Sequence, residues 1–201
     1  MRPTRKRRPK PRPSPGAAEP PPAPHARPGD ILVQADRIAA RVRGLGAELA
    51  RFYAGREPVL VAVMKGSVLF LADLVRAWPG AMDLEFVTAR LYEGSEPRRL
   101  QLALPPGLRE VVAGRPVLVV DDIFDTGRTL TAVCEAVERL GPADLRTLVF
   151  LKKKRRRRPK ALLRRLDWVG FEVPDRFVVG YGLDYGGRFR NLPYVAVFAE
   201  A

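Results

Sequence analysis

A strand can be apolar on both faces only where both faces are covered, and two stretches of this chain require that setting. PVLVAVMKGS, at 58–67, contains a continuous apolar run of strand length bounded by Pro58 and Gly66, and PVLVV, at 116–120, is a second. Such strands belong inside a parallel sheet with helices on either side. The segments around them supply helices. Ile38, Val42, Leu45, Leu49 and Phe52 recur at helical spacing over about 35–53, and Val68, Leu71, Leu74 and Val75 give a short helix ending near Pro79-Gly80. Residues 127–140 form a third helical pattern, stopped by Gly141-Pro142. DLEFVTARL, at 83–91, alternates like a strand, and further strands are expected at 147–151, 168–173, 177–181 and 194–198. Strand–helix alternation through most of the chain predicts the α/β class. The stretch 92–115 carries turn chemistry at 94–97 and 105–107 and reads as a mobile excursion.

At 201 residues, 46% of them hydrophobic, the chain is long enough for one domain with a real core. It contains no apolar run of membrane-helix length and no secretory leader pattern, so a cytoplasmic location is expected. The single cysteine, Cys134, falls in a helical pattern and reads as a small buried residue in a reducing compartment. The net charge of +14 is concentrated in two places. Residues 1–28 hold eight Lys/Arg, one Glu and ten of the twenty prolines. Such a stretch buries too little to offset its ordering entropy, so 1–28 is expected to be a disordered basic tail preceding a domain at 29–201. The run 152–160 places eight cations in nine residues where a strand is expected to leave the sheet. Tail and run are both candidate contacts for polyanions. Arginine outnumbers lysine 29 to 7 over the whole chain, which argues against special meaning for any one arginine cluster.

Open parallel sheets bind ligands at the carboxyl ends of their strands. Here those ends carry Lys65-Gly66-Ser67 and DDIFDTGRT, at 121–129. In the second, the backbone N–H groups of 126–129 and the hydroxyls of Thr126 and Thr129 can converge on one phosphate, with Gly127 allowing close approach. The spacing is not that of a P-loop and suits a terminal monophosphate. Asp121 and Asp122 can accept hydrogen bonds from a vicinal diol or hold hydrated Mg²⁺. The plainer alternative makes them turn residues with Asp125 as a helix N-cap.

VLVVDDIFDTGRTL resembles the 5-phosphoribosyl diphosphate (PRPP) binding motif of type I phosphoribosyltransferases. VAVMKGSVLFLADLV and VGFEVPDRFVVGYGLDYGGRFRNLPYV resemble the hypoxanthine-guanine branch of that family, over about 30–199. The resemblance implies the type I fold, a twisted, mostly parallel sheet flanked by helices, with a small hood built from the N- and C-terminal parts. It further implies purine salvage: transfer of the phosphoribosyl group of PRPP to hypoxanthine or guanine, with Mg²⁺, in a homodimer or homotetramer. Asp121 and Asp122 would lie at the ribose hydroxyls and Mg²⁺. Asp125 would be the general base, within a 5′-phosphate cradle formed by Asp125, Thr126, Gly127, Arg128 and Thr129. Lys65 and Gly66 would form the pyrophosphate loop, in that family often with a non-proline cis peptide, and Arg190 would bind pyrophosphate. Phe177 would stack on the purine with the Val178 backbone at its edge, and Asp184 would sit near the base and Mg²⁺. A lysine should reach the 6-oxo group; Lys153 fits best, with Lys152 one residue away. Two departures stand out: the loop at about 91–104 reads Leu91-Tyr92 where the family usually carries Ser-Tyr, and the basic loop after Lys153 is about three residues longer. A PRPP-sensing nucleic-acid regulator on the same fold is the competing reading.

Overall fold

Strands β2 (Val59–Met64) and β5 (Pro116–Phe124) lie side by side and parallel at the centre of a six-stranded sheet. The computed structural model describes residues 27–92, 99–155 and 166–199. The sheet order is β4-β3-β2-β5-β6-β7, adding β3 (Asp83–Tyr92), β4 (Arg99–Ala103), β6 (Asp144–Lys154) and β7 (Trp168–Pro174). All neighbours are parallel except β4, which runs antiparallel to β3 at one edge. Alternation along the central strands divides the core in two. Leu60, Ala62, Leu118 and Val120 face α1 (Ala35–Phe52) and α2 (Val68–Ala77), where Phe70, Leu74 and Phe150 are fully buried. Val59, Val61, Val117 and Val119 face α4 (Arg128–Glu138), packing with Val133, Cys134 and Val137. Each fully buried side chain of this size contributes about 1.5–3 kcal/mol, which makes the doubly covered sheet the rigid floor of the molecule.

The hood is a separate three-stranded antiparallel sheet, β1-β9-β8, built from Arg27–Val33, Val195–Ala199 and Val178–Val179. β1 joins the two ends of the chain, with Arg27 opposite Ala199 and Pro28 opposite Phe198. Most of the expected tail, 1–26, lies outside the described residues.

Three expectations need correction. The stretch 92–115 is not one mobile excursion: β4 pairs residue by residue with β3, and α3 (Leu108–Val112) buries Leu108 and Val112. Only 93–98 of that stretch falls outside the described residues. β5 continues through Asp121 and Asp122 to Phe124, so the acids sit on an extended strand rather than in a turn. β6 continues through Lys152 and Lys153 to Lys154, so the basic run begins inside the sheet; its remainder, from 156, lies outside the described residues. Among the described residues no helix is long and apolar enough to cross a membrane.

Candidate active site

The carboxyl ends of β2 and β5 meet at a cavity of about 450 Å³, lined by residues 121–130 together with Val63, Met64, Gly66 and Ala89. At the end of β2 the Met64–Lys65 peptide is cis. Buried Ser67 donates its hydroxyl to Val63 O at 2.5 Å, fastening the turn. Lys65 is exposed, while Gly66 is buried. Gly66 packs against the Asp122 side chain: a Cβ there would lie 1.5 Å from its Oδ2 and would force that carboxylate aside.

On β5, Asp121 is buried and its Oδ1 accepts the Asp122 N–H at 2.9 Å. Burial first, and then the neighbouring Asp122 carboxylate, push the Asp121 carboxyl well above the usual carboxylate range. Burial also raises Asp122, opposed by its hydrogen bonds and by Arg190. Gly127, with φ of 90°, turns the chain into α4 as its N-cap, and no side chain caps that helix. Asp125 is therefore not the N-cap; it lines the cavity wall. Thr126 Oγ1 accepts the Arg128 N–H at 3.4 Å, and residues 126–129 wrap the cavity wall as a phosphate cradle would.

A second cavity, of about 230 Å³, shares Asp122, Ile123 and Asp125 with the first and is completed by Lys153, Phe177, Val178, Leu183 and Asp184. The two-residue period of β6 separates its lysines. Lys153 points inward, is only 8% exposed and donates from Nζ to Asp125 Oδ2 at 3.2 Å. Lys152 points the other way and pairs with Glu172 at 2.7 Å. Of the two lysines, Lys153 is the one in the cavity. Phe177 is 51% exposed on the cavity wall, held edge-on by Tyr185 and Phe198, which stack on each other at 4.1 Å.

The loop over the site is drawn down by close backbone contacts. Gly182 has φ of 99°, and a Cβ on it would meet Gly66 O at 2.0 Å. Arg190 donates from Nη1 to Gly182 O at 2.6 Å and pairs through Nη2 with Asp184 Oδ1 at 2.7 Å, while Asp184 Oδ2 accepts the Gly187 N–H at 2.8 Å. Arg190 and Asp184 thus form one unit against the Gly66 turn. Among the described residues no cluster of three His, Cys, Asp or Glu could hold a metal unaided.

Two participants have no signature in the sequence. Arg155 bridges Asp125 and Asp175, and the Tyr181 hydroxyl donates to Asp73 of α2 at 2.5 Å. Only the Gly180-Tyr181-Gly182 spacing hinted at the second, since both glycines adopt positive φ.

Residues 29–186 match the model of the phosphoribosyl transferase domain family. The chain is 40% identical over 166 residues to a hypoxanthine-guanine phosphoribosyltransferase of Aquifex aeolicus, covering 82% of this chain and 92% of that protein. It is 37% identical over 169 residues to a hypoxanthine phosphoribosyltransferase of Haemophilus influenzae, covering 83% and 93% respectively. Among solved structures, a hypoxanthine phosphoribosyltransferase from Staphylococcus aureus superposes with a TM-score of 0.77 at 30% identity, covering 86% of this chain and 92% of that one.

Proposed function

Because the chain belongs to the phosphoribosyltransferase family, in its hypoxanthine-guanine branch, we propose that it is a purine salvage enzyme. It transfers the 5-phosphoribosyl group of PRPP to hypoxanthine or guanine, giving the nucleoside monophosphate and pyrophosphate. One observation carries this reading most directly: Lys153 Nζ and Asp125 Oδ2 stand 3.2 Å apart in a cavity continuous with the 121–130 cradle. A donor beside an acceptor matches the purine edge on which a 6-oxo acceptor neighbours N7. Lys153 would bind the 6-oxo oxygen, and Asp125 would take the N7 proton as N9 attacks the ribose.

In that attack the bond from C1 of the ribose to pyrophosphate breaks as the bond to N9 forms, through a cationic ribosyl centre. The 5′-phosphate would rest on the N–H groups of 126–129, and Lys65, Gly66 and Arg190 would meet the pyrophosphate. Asp121, Asp122 and Asp184 are the residues that would hold Mg²⁺, which neutralises leaving-group charge when bound. The donor set fits such an ion. Burial raises both adjacent carboxyls, a cost that a bound cation would offset, and a partial carboxylate set suits a metal that shares its shell with substrate phosphates and water. Phe177 would stack on the base, and the segment near 91–104, which includes the paired ends of β3 and β4, would keep water from capturing the ribosyl cation.

A homodimer or homotetramer is part of the proposal, supported by the exposed apolar side chains of Val68, Leu69, Leu84 and Phe86 on α2 and β3. So is a cytoplasmic location. A regulatory nucleic-acid-binding role draws no support from the relatives, whose names are those of enzymes. The deciding experiment is turnover of hypoxanthine, guanine and xanthine in competition, read as pyrophosphate release. Release with at least one 6-oxopurine is expected, and intact PRPP binding without release on any of them would sink the proposal.

A further inference from the structure

Arg155, the first residue beyond β6, places its guanidinium between two carboxylates. Its Nε lies 2.6 Å from Asp125 Oδ1 and 3.2 Å from Asp175 Oδ1. The two aspartates come from different strand ends beside the smaller cavity. Asp125 follows β5 and lines that cavity itself; Asp175 follows β7, two residues before Phe177, which also lines it. The turn carrying Asp175 is tight, with the Arg176 N–H donating to Pro174 O at 2.9 Å. Asp125 therefore has one oxygen beside Lys153 and the other beside Arg155, the latter an ion pair without hydrogen-bond alignment.

The three side chains are between 32% and 43% exposed, so the bridge adds little to global stability. Its consequence is positional. Both contacts fall on Nε of a rigid planar guanidinium, a fixed placement of charge that a lysine ammonium on its flexible stem reproduces less well. We propose that Arg155 is a positioning residue for phosphoribosyl transfer. By bridging Asp125 to Asp175 it sets the width of the purine slot, and it keeps the Asp125 carboxylate turned toward the base when Lys153 shifts its hydrogen bond to the 6-oxo group. Resting on the proposed function of the site, this role is confined to the purine side. The N–H groups of 126–129 meet the phosphate without it.

The test uses the full chain with R155Q, R155K, D175N and the R155Q/D175N pair, and with K154Q as a charge control, since Lys154 is exposed. For each, kcat and KM for hypoxanthine and guanine are measured at saturating PRPP, together with the PRPP Kd and the thermal midpoint. R155Q and D175N are each expected to cost ~10-fold in kcat/KM, with purine KM rising and kcat falling together, as a misplaced base does. The double variant should be no worse than the worse single, because both remove one bridge. R155K should recover part of the loss, the PRPP Kd should move by less than ~2-fold, and the thermal midpoint should stay near wild type, as expected for a partly exposed ion pair. Wild-type kinetics in R155Q, multiplying effects in the double variant, or an equal loss in K154Q would each overturn the role. A wild-type protein inactive on every 6-oxopurine would instead overturn the reading of the site, and this role with it.

Discussion

The Asp122 carboxylate fills the space that a side chain on Gly66 would need: a Cβ on Gly66 would lie 1.5 Å from the Asp122 Oδ2. The contact joins the ends of the two central strands, and Gly182 closes on the same turn from the hood side, where its own Cβ would meet Gly66 O at 2.0 Å. Three segments far apart in the chain therefore converge on one residue that has no side chain. The Lys65-Gly66 turn, the paired acids and the hood loop carrying Asp184 and Arg190 are a single packed unit, so disturbance of one is felt by the others.

Gly66→Ala should consequently be severe for activity and milder for the fold. The Asp122 carboxylate must swing away to admit the methyl group, at about 1–3 kcal/mol of strain. Its displacement from the sugar and metal side should lower kcat/KM for PRPP by ~10²-fold or more. Steady-state kinetics beside a denaturant titration would check this. A fully active G66A would show that the turn and Asp122 are not packed as described.

Asp125→Asn keeps the shape of the side chain and removes its charge and basicity. Loss of a general base is expected to lower kcat by roughly 10²–10⁴-fold. PRPP affinity should change far less, because the proposed phosphate cradle would rest on the N–H groups of 126–129. Single-turnover rates combined with PRPP binding by calorimetry separate the two effects. A collapse of PRPP binding with a preserved chemical step would reverse the assignment of Asp125.

The adjacent lysines should differ sharply. Lys153 is inside the smaller cavity, the proposed purine site, and Lys152 pairs with Glu172 on the other side of the strand. Lys153→Gln should lower kcat/KM for hypoxanthine by ~10²-fold, since it loses a charged donor and leaves Asp125 without one of its cations. Lys152→Gln breaks a surface ion pair and should stay within ~3-fold of wild type. Equal losses in both variants would contradict the geometry.

The same lysine pair shows what could and could not be read from the chain. The doubly apolar strands, the helices between them and the glycine turn at 127 that opens α4 were legible because hydrophobic period and glycine placement are local signals. The continuation of β5 through Asp121-Asp122 and of β6 through Lys152-Lys154 was not, since charged residues at strand ends mimic turns and loops. β1 was hidden for a related reason: Ile31 is 42% exposed, and the strand is held by pairing with β9, at the far end of the sequence. Family resemblance supplied Lys153, but only strand register separates it from Lys152. Arg155 lay in a run whose composition argued against singling out any one arginine. Its partners, Asp125 and Asp175, come together only in three dimensions.

Two buried phenols give the ligand-free fold a defined response to alkali. Burial raises Tyr53 above its ordinary value of 10.0, and burial together with the hydrogen bond to Asp73 raises Tyr181 further. A folded-state pKa above the unfolded one means the native state binds protons more tightly. The associated stability is complete below pH 10 and is lost as pH rises toward the folded values. Between those limits each phenol should lower the unfolding free energy by about 1.4 kcal/mol per pH unit. Phenolate absorbance followed against pH, alongside far-ultraviolet circular dichroism, is the measurement. Y53F and Y181F should leave the absorbance change before unfolding intact and reduce only the part that accompanies loss of the fold. They should also flatten the decline of stability above pH 10. Phenolate signal lost from either variant while the circular dichroism is still native would mean that its hydroxyl reaches water in the folded protein, and that the Tyr181–Asp73 contact does not hold the hood loop to α2.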